Sequence, residues 1–425
     1  MSSCVKISFC LTLACSIACA QSHQMGNMAG MADMADMNEA GISVMQEASG
    51  TSMNPTAGAL PMLMTHTAGW NWMFMGEAFI VDTQQSAPRG HDKLYSPNWF
   101  MTGVEHRVGK GSFMIQLMLS LEPATVTDRR YPELFQTGET AYGIPLVDAQ
   151  HPHNFIMGLG FTYAHPLGQN GLWELYYAPV GDPALGPVAF PHRASASELP
   201  QAPLAHHWED SSHIVYNVVT GVLKYKTIRW EVSGFHGAEP GENRWNVTFG
   251  AIDSWSTRAS IFPSKRWMAQ FSLGRLTRPE AAQPGDVIRT TASVHYSKPL
   301  AKGNWSSSLI WGRNHDTYSK HNGDAYTLES VFPLSSKNIL TGRAELVDKD
   351  ELFNTITELD GRAFRIGAYT LGYSREIGTA FGVLRTALGA NASTYSLPGL
   401  IKPFYGDRPW SVSVFLRVRL KQSGM

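Results

Sequence analysis

From about Gly69 to Leu420 the chain alternates between two kinds of connector. Segments patterned for β-strands are joined, strictly in turn, by links of a few residues and by loops of about ten to thirty. That rhythm predicts a transmembrane antiparallel β-barrel, with tight turns on the periplasmic side and long loops outside. Sixteen strands are expected, near 69–82, 98–109, 111–122, 153–165, 171–180, 212–224, 226–237, 253–262, 265–276, 287–298, 303–314, 324–333, 338–347, 363–374, 379–390 and 409–420. An even number puts both ends of the barrel chain in the periplasm. Gly109-Lys110-Gly111, Gly168-Gln169-Asn170-Gly171 and Pro263-Ser264-Lys265 mark compact turns.

The last strand states the alternation most plainly. Trp410, Val412, Val414, Leu416, Val418 and Leu420 share one face, and Ser411, Ser413, Phe415, Arg417 and Arg419 the other. Lipid outside and water inside explain such a split. Ile228, Trp230 and Val232 repeat it against Arg229, Glu231 and Ser233. Aromatics near strand ends, among them Trp70, Trp173, Trp267 and Trp305, suit the girdles at the two membrane surfaces.

Residues 1–20 read as a secretory signal peptide, with Lys6, an apolar run from Ile7 to Ile17, and Ala18-Cys19-Ala20 before the expected cut. All four cysteines lie in it, so the mature chain has no disulfide, thiolate metal site or cysteine nucleophile. No run of eighteen apolar residues exists for a helical span. A net charge of −1 gives no pointer to nucleic acid.

Residues 21–65 lack strand alternation and a sustained helical stripe, and are expected to form a disordered periplasmic arm before a barrel of residues 66–425. Met25, Met28, Met31, Met34 and Met37 recur every third residue after His23. Thioether sulfur is a soft, neutral donor that favours Cu(I) and needs no deprotonation, so such an arm suits exchangeable copper binding. A Met-rich linker without ligands is the alternative. The arm resembles the Met-rich segments of the copper-resistance protein B family, which places such an arm before an outer-membrane barrel.

Strand alternation turns five further methionines to the lumen: Met73 and Met75 from the first strand, Met101 from the second, and Met114 and Met118 from the third, beside Glu77 and Glu105. They suit a relay for a soft cation, or simply an adaptable filling of the barrel interior. The outward loops carry His151 and His153 in one block and His206, His207 and His213 in the next, with Glu209 and Asp210 between them. Imidazoles and carboxylates at such spacing can ligate Cu(II), Zn or Ni, or can bond one another within a loop. The blocks around His151-Pro152-His153 and from His206 to His213 resemble an uncharacterised family of bacterial outer-membrane β-barrels. That resemblance implies the barrel fold and, in members with a Met- and His-rich start, an association with copper.

Ser211, Ser212, His213 and Asp210 invite a hydrolase reading, but the His-x-Ser-Asn-Gly block of the outer-membrane phospholipases is absent, and no dinucleotide or zinc-protease motif occurs. The chain is therefore expected not to be an enzyme. Two readings remain open. One is copper binding, resistance or transport, with a copper ion as cargo and with outer-membrane lipid and periplasmic copper proteins as partners. The other is a general or substrate-specific diffusion porin, whose opposed lumen charges would be Arg229, Glu231, Arg258, Arg289, Arg343, Glu345, Arg417 and Arg419.

Overall fold

The computed structural model describes residues 39–58 and 60–421. The expected signal peptide and the arm positions His23, Met25, Met28, Met31, Met34 and Met37 lie outside the described residues.

Sixteen long strands form the wall: β1 (Trp70–Gln85), β2 (Asn98–Val108), β3 (Gly111–Leu119), β4 (Ile156–Leu167), β5 (Gly171–Gly181), β6 (Val215–Tyr225), β7 (Ile228–His236), β8 (Ser254–Ser264), β9 (Trp267–Leu276), β10 (Val287–Leu300), β11 (Gly303–Asp316), β12 (Asn322–Pro333), β13 (Asn338–Lys349), β14 (Phe364–Ala380), β15 (Leu384–Ser396) and β16 (Trp410–Leu420). Each pairs antiparallel with its sequence neighbours. β1 runs along β2 from Trp70↔His106 to Ala78↔Asn98 and along β16 from Glu77↔Arg419 to Gln85↔Ser411, which closes the cylinder. Closure matters because hydrocarbon offers no partner to an unpaired backbone N–H or C=O. All sixteen expected strands are present, as are the long connections between them. The turn from β14 to β15 falls later than the sequence suggests, because Phe381 and Gly382 (φ 52° and 72°) make the reversal beyond Ala380.

Alternation holds along the wall. On β16, Trp410, Val412 and Val414 are exposed while Ser411, Ser413, Phe415 and Arg417 are buried. Arg229, Glu231 and Ser233 on β7 likewise face inward, between the exposed Ile228, Trp230 and Val232.

The second half of the expected arm is ordered, which corrects the reading of residues 21–65 as disordered throughout. α1 (Glu39–Met45) packs against β2, β3 and β4 inside the barrel. Glu39 reaches Lys224 beside the short turn between β6 and β7, 3.1 Å away. The chain then passes through the lumen, where Glu47 meets Arg229 at 2.5 Å, and returns to the short-turn end, where the Ala57 N–H donates to the Lys265 carbonyl at 2.8 Å. Leu63–Thr67 finally pairs with Trp70–Phe74 through a two-residue turn at Ala68 and Gly69, both with positive φ (53° and 79°). This added strand covers the part of β1 that β16 is too short to reach. Small apolar residues and two paired acids, rather than a periodic pattern, make the segment fit.

Two long connections also fold inward. Residues 182–214, between β5 and β6, are almost wholly buried. Between β3 and β4, Tyr131–Ala141 and Ile144–Gln150 form a hairpin whose Leu134 and Phe135 join an apolar cluster with Trp208, Phe353, Phe364 and Tyr405.

The lipid face of β16 gives a direct check on the wall. Val414→Lys, midway along that strand, should lower unfolding free energy in lipid vesicles by about 2–4 kcal/mol. Urea titration of the reconstituted protein measures it, and an unchanged midpoint would contradict the assigned faces.

Candidate functional site

The lumen is lined by charge, neutralised partly within the wall and partly by the segments folded into it. Arg258 on β8 donates from Nε to Glu231 at 2.7 Å and from a terminal nitrogen to the Thr51 hydroxyl at 3.2 Å. Arg229 meets Glu47 and, at 3.1 Å, Glu174. On the opposite side Glu198 of the 182–214 loop sits between Arg417 and Arg419, and Arg193 of that loop reaches Glu329 at 2.6 Å and Asp210 at 2.8 Å. The wall charges expected of a porin constriction are all inward, answered partly by wall carboxylates such as Glu174, Glu231 and Glu329 and partly by Glu47 and Glu198 of the segments that fill the passage. Spaces left between filling and wall, such as those beside Gln201 and beside Met118, hold about 20–30 Å³ each, enough for a water or two. Packing there is close enough to demand glycine at Gly50, where a Cβ would come within 2.3 Å of the Asp182 carbonyl at a φ of +52°.

The five lumen methionines lie where the alternation places them. Met75 pairs across the strands with Met101, which pairs with Met118, and the methyls of Met73 and Met114 close over Gly103. Met157 of β4 borders the same space. The expected carboxylates are not free beside them: Glu77 is held by Arg419, and Glu105 accepts from Asn71 at 2.6 Å and from Ser112. Instead, an imidazole joins the thioethers, with His192 Nε2 3.1 Å from Met118 Sδ.

The loop histidines are not on the outer surface. The inward fold of 182–214 carries His206, His207 and His213 into the outer half of the barrel, where they meet His151 and His153. Ring centroids are 5.2 Å apart for His206 and His207 and for His206 and His213, and 5.7 Å for His151 and His207. One ring nitrogen from each of His151, His206 and His207 lies within 4.8 Å of the others. His207 forms a second such group with Glu239 and Glu280. Gly138 makes room for this arrangement, since a Cβ there would strike the His207 ring at 2.4 Å.

Burial holds these imidazoles neutral, as ligand nitrogens must be. It brings His207 down to about 3, helped by Lys349 and Arg289. It brings His206 to about 4 against the opposing pull of Asp210. His151 and His213 are lowered for the same reason, with neighbouring histidines adding to the effect. Glu239 and Glu280 are raised by burial, and Glu239 also by repulsion from Glu280.

The serines beside this cluster are not arranged as nucleophiles. Ser211 donates to Glu239 at 2.9 Å, the Ser212 hydroxyl is buried without a partner, and Asp210 serves His206 through its carboxylate and His213 through its carbonyl.

No family model matches the chain, and no curated protein does. Solved structures do. The anion-selective porin from Comamonas acidovorans superposes with a TM-score of 0.52 at 11% identity, covering 82% of this chain and 99% of that one. The Salmonella typhi OmpF complex with daunomycin gives 0.50 at 7%, covering 84% and 100%. The fold is that of the outer-membrane porins.

Several residues of the lumen site were not singled out by sequence. Glu122, Glu139, Glu239 and Glu280 come from three different connections and carry no local signal. The 182–208 stretch does carry one, having only Asp182, Arg193 and Glu198 as charged residues besides histidines, which is unusual for a loop meant for water.

His192 makes the seating of that loop sensitive to acid. Burial, reinforced by His153, brings its imidazole down to about 3. Once released, it would titrate near 6.5. Below that value the released state takes up a proton that the seated state refuses, so seating weakens as pH falls, by about 2 kcal/mol at pH 5. Amide-exchange protection over residues 188–196 should drop between pH 7 and pH 5, with a smaller drop in His192→Gln. Equal drops in both would contradict this.

Proposed function

We propose that this protein is an outer-membrane channel of the substrate-specific kind, held closed by its own chain, rather than an open general pore. The observation that carries the reading is the capture of the wall arginines by side chains on segments folded into the lumen, above all Glu198 between Arg417 and Arg419. A wall built of sixteen strands encloses a passage once such segments withdraw. The inward charges would then meet the solute, so selection would favour small polar or ionised molecules. Planar-bilayer recording tests this. Wild-type protein should show little steady current, while a variant with residues 184–210 replaced by a short Gly-Ser linker should conduct at least tenfold more. A folded deletion variant that stays silent would remove the reading.

A second reading, of soft-metal handling, is supported by the approach of His192 to Met118 within the methionine patch. Copper(I) delivered by the arm methionines or by periplasmic copper proteins would find thioethers and a neutral imidazole there. Competition with a Cu(I) chelator should show one equivalent lost in the Met101→Leu/Met118→Leu double variant. Unchanged stoichiometry would dismiss the patch as a copper site.

A further inference from the structure

The histidine cluster beneath the long loops is a second kind of site, distinct from the methionine patch and independent of whether the barrel conducts. Its imidazoles are arranged in a particular way. His206 has Nδ1 on Asp210 Oδ1 at 2.6 Å, and His151 has Nδ1 3.3 Å from the Pro152 carbonyl. His207 places Nδ1 3.5 Å from Glu280 Oε1. In His206 and His151 an oxygen is bonded at Nδ1, which leaves Nε2 as the atom with a lone pair to give, while in His207 the Glu280 carboxylate stands near Nδ1 without a hydrogen bond to it. An oxygen acceptor behind a ligating imidazole is the arrangement that fixes its tautomer and orientation around a metal.

Unmet bonding points the same way. His151 Nε2 and both ring nitrogens of His207 are buried and have no hydrogen-bond partner. His151 Nε2 lies 3.2 Å from Glu139 Oε1, but not in line for a hydrogen bond. Buried polar atoms left in this state are costly, on the order of 1–3 kcal/mol each, unless something absent from the protein satisfies them. One nitrogen from each ring lies within 4.8 Å of the others, and tetrahedral nitrogens around zinc stand roughly 3.4 Å apart, so a modest turn of the rings would close the site.

We propose that His151, His206 and His207 bind one divalent transition-metal ion through Nε2, with Glu139 beside the fourth position. Neutral imidazoles with a nearby carboxylate suit Zn(II), whereas thioethers do not, so this site and the methionine patch sort cations by ligand softness.

The test uses full-length protein in detergent, with Zn(II) alone as the probe. Calorimetric titration should show one equivalent bound at micromolar affinity or better. His151→Gln and His207→Gln should each weaken it at least tenfold, while His66→Gln, on the exposed strand Leu63–Thr67, should not. Heat-modifiable migration on gels reports that each variant still forms its barrel. Zinc X-ray absorption of the wild-type protein decides the matter even if a variant fails to fold: a nitrogen and oxygen shell with imidazole outer scattering is expected. A sulfur shell, no binding at micromolar zinc, or unchanged affinity in folded histidine variants would each overturn the assignment.

Discussion

A guanidinium cannot give up its proton at any pH a cell meets, so an arginine sealed away from water must be matched by fixed negative charge. Arg193, Arg229, Arg258, Arg289 and Arg417 are among the largest fully buried side chains of this protein, and four of the five project from the wall. Much of the interior follows from that demand. Glu47 reaches Arg229 across 182 positions of sequence, and Glu198 answers Arg417 and Arg419. Removing one member of such a set would strand the others, at about 3–5 kcal/mol, which explains why these segments stay inside rather than waving in solvent.

The filling is polar where it meets the wall charges and apolar where it meets itself. Leu134, Phe135, Leu204 and Trp208 build a small core beneath the outer mouth, so the barrel carries a water-excluding lid made from its own loops. Below that lid the chain is packed tightly enough that Gly50 touches the Asp182 backbone and Gly138 lies on the His207 ring. Segments from three parts of the sequence therefore depend on one another. Displacing one exposes charges that the other two were helping to neutralise.

The wall was legible because a strand's period of two is local, and a lipid face tolerates few exceptions. Every wall strand, and the inward direction of Met73, Met75, Met101, Met114 and Met118, followed from it. The turn after β14 slipped because Gly378 looks as much like a reversal as Gly382 does, and only the pairing of Ala380 with Leu384 decides. The filling was not legible, because its contacts are long-range and individual. Nothing near Glu47 announces Arg229, and nothing near His151 announces His207. The loop histidines are recognisable by type and spacing, and the alternation turns His213 to the lumen, but nothing local tells that the loop carrying His206 and His207 folds inward.

The strand Leu63–Thr67 lies against the lower edge of β1, and residues 39–58 are threaded up into the cylinder and back. A closed ring of hydrogen bonds does not admit a polypeptide from the side. The leading segment therefore has two ways in: through the short-turn mouth, where it starts and finishes, or into the curling sheet before β16 zips onto β1 and seals the seam.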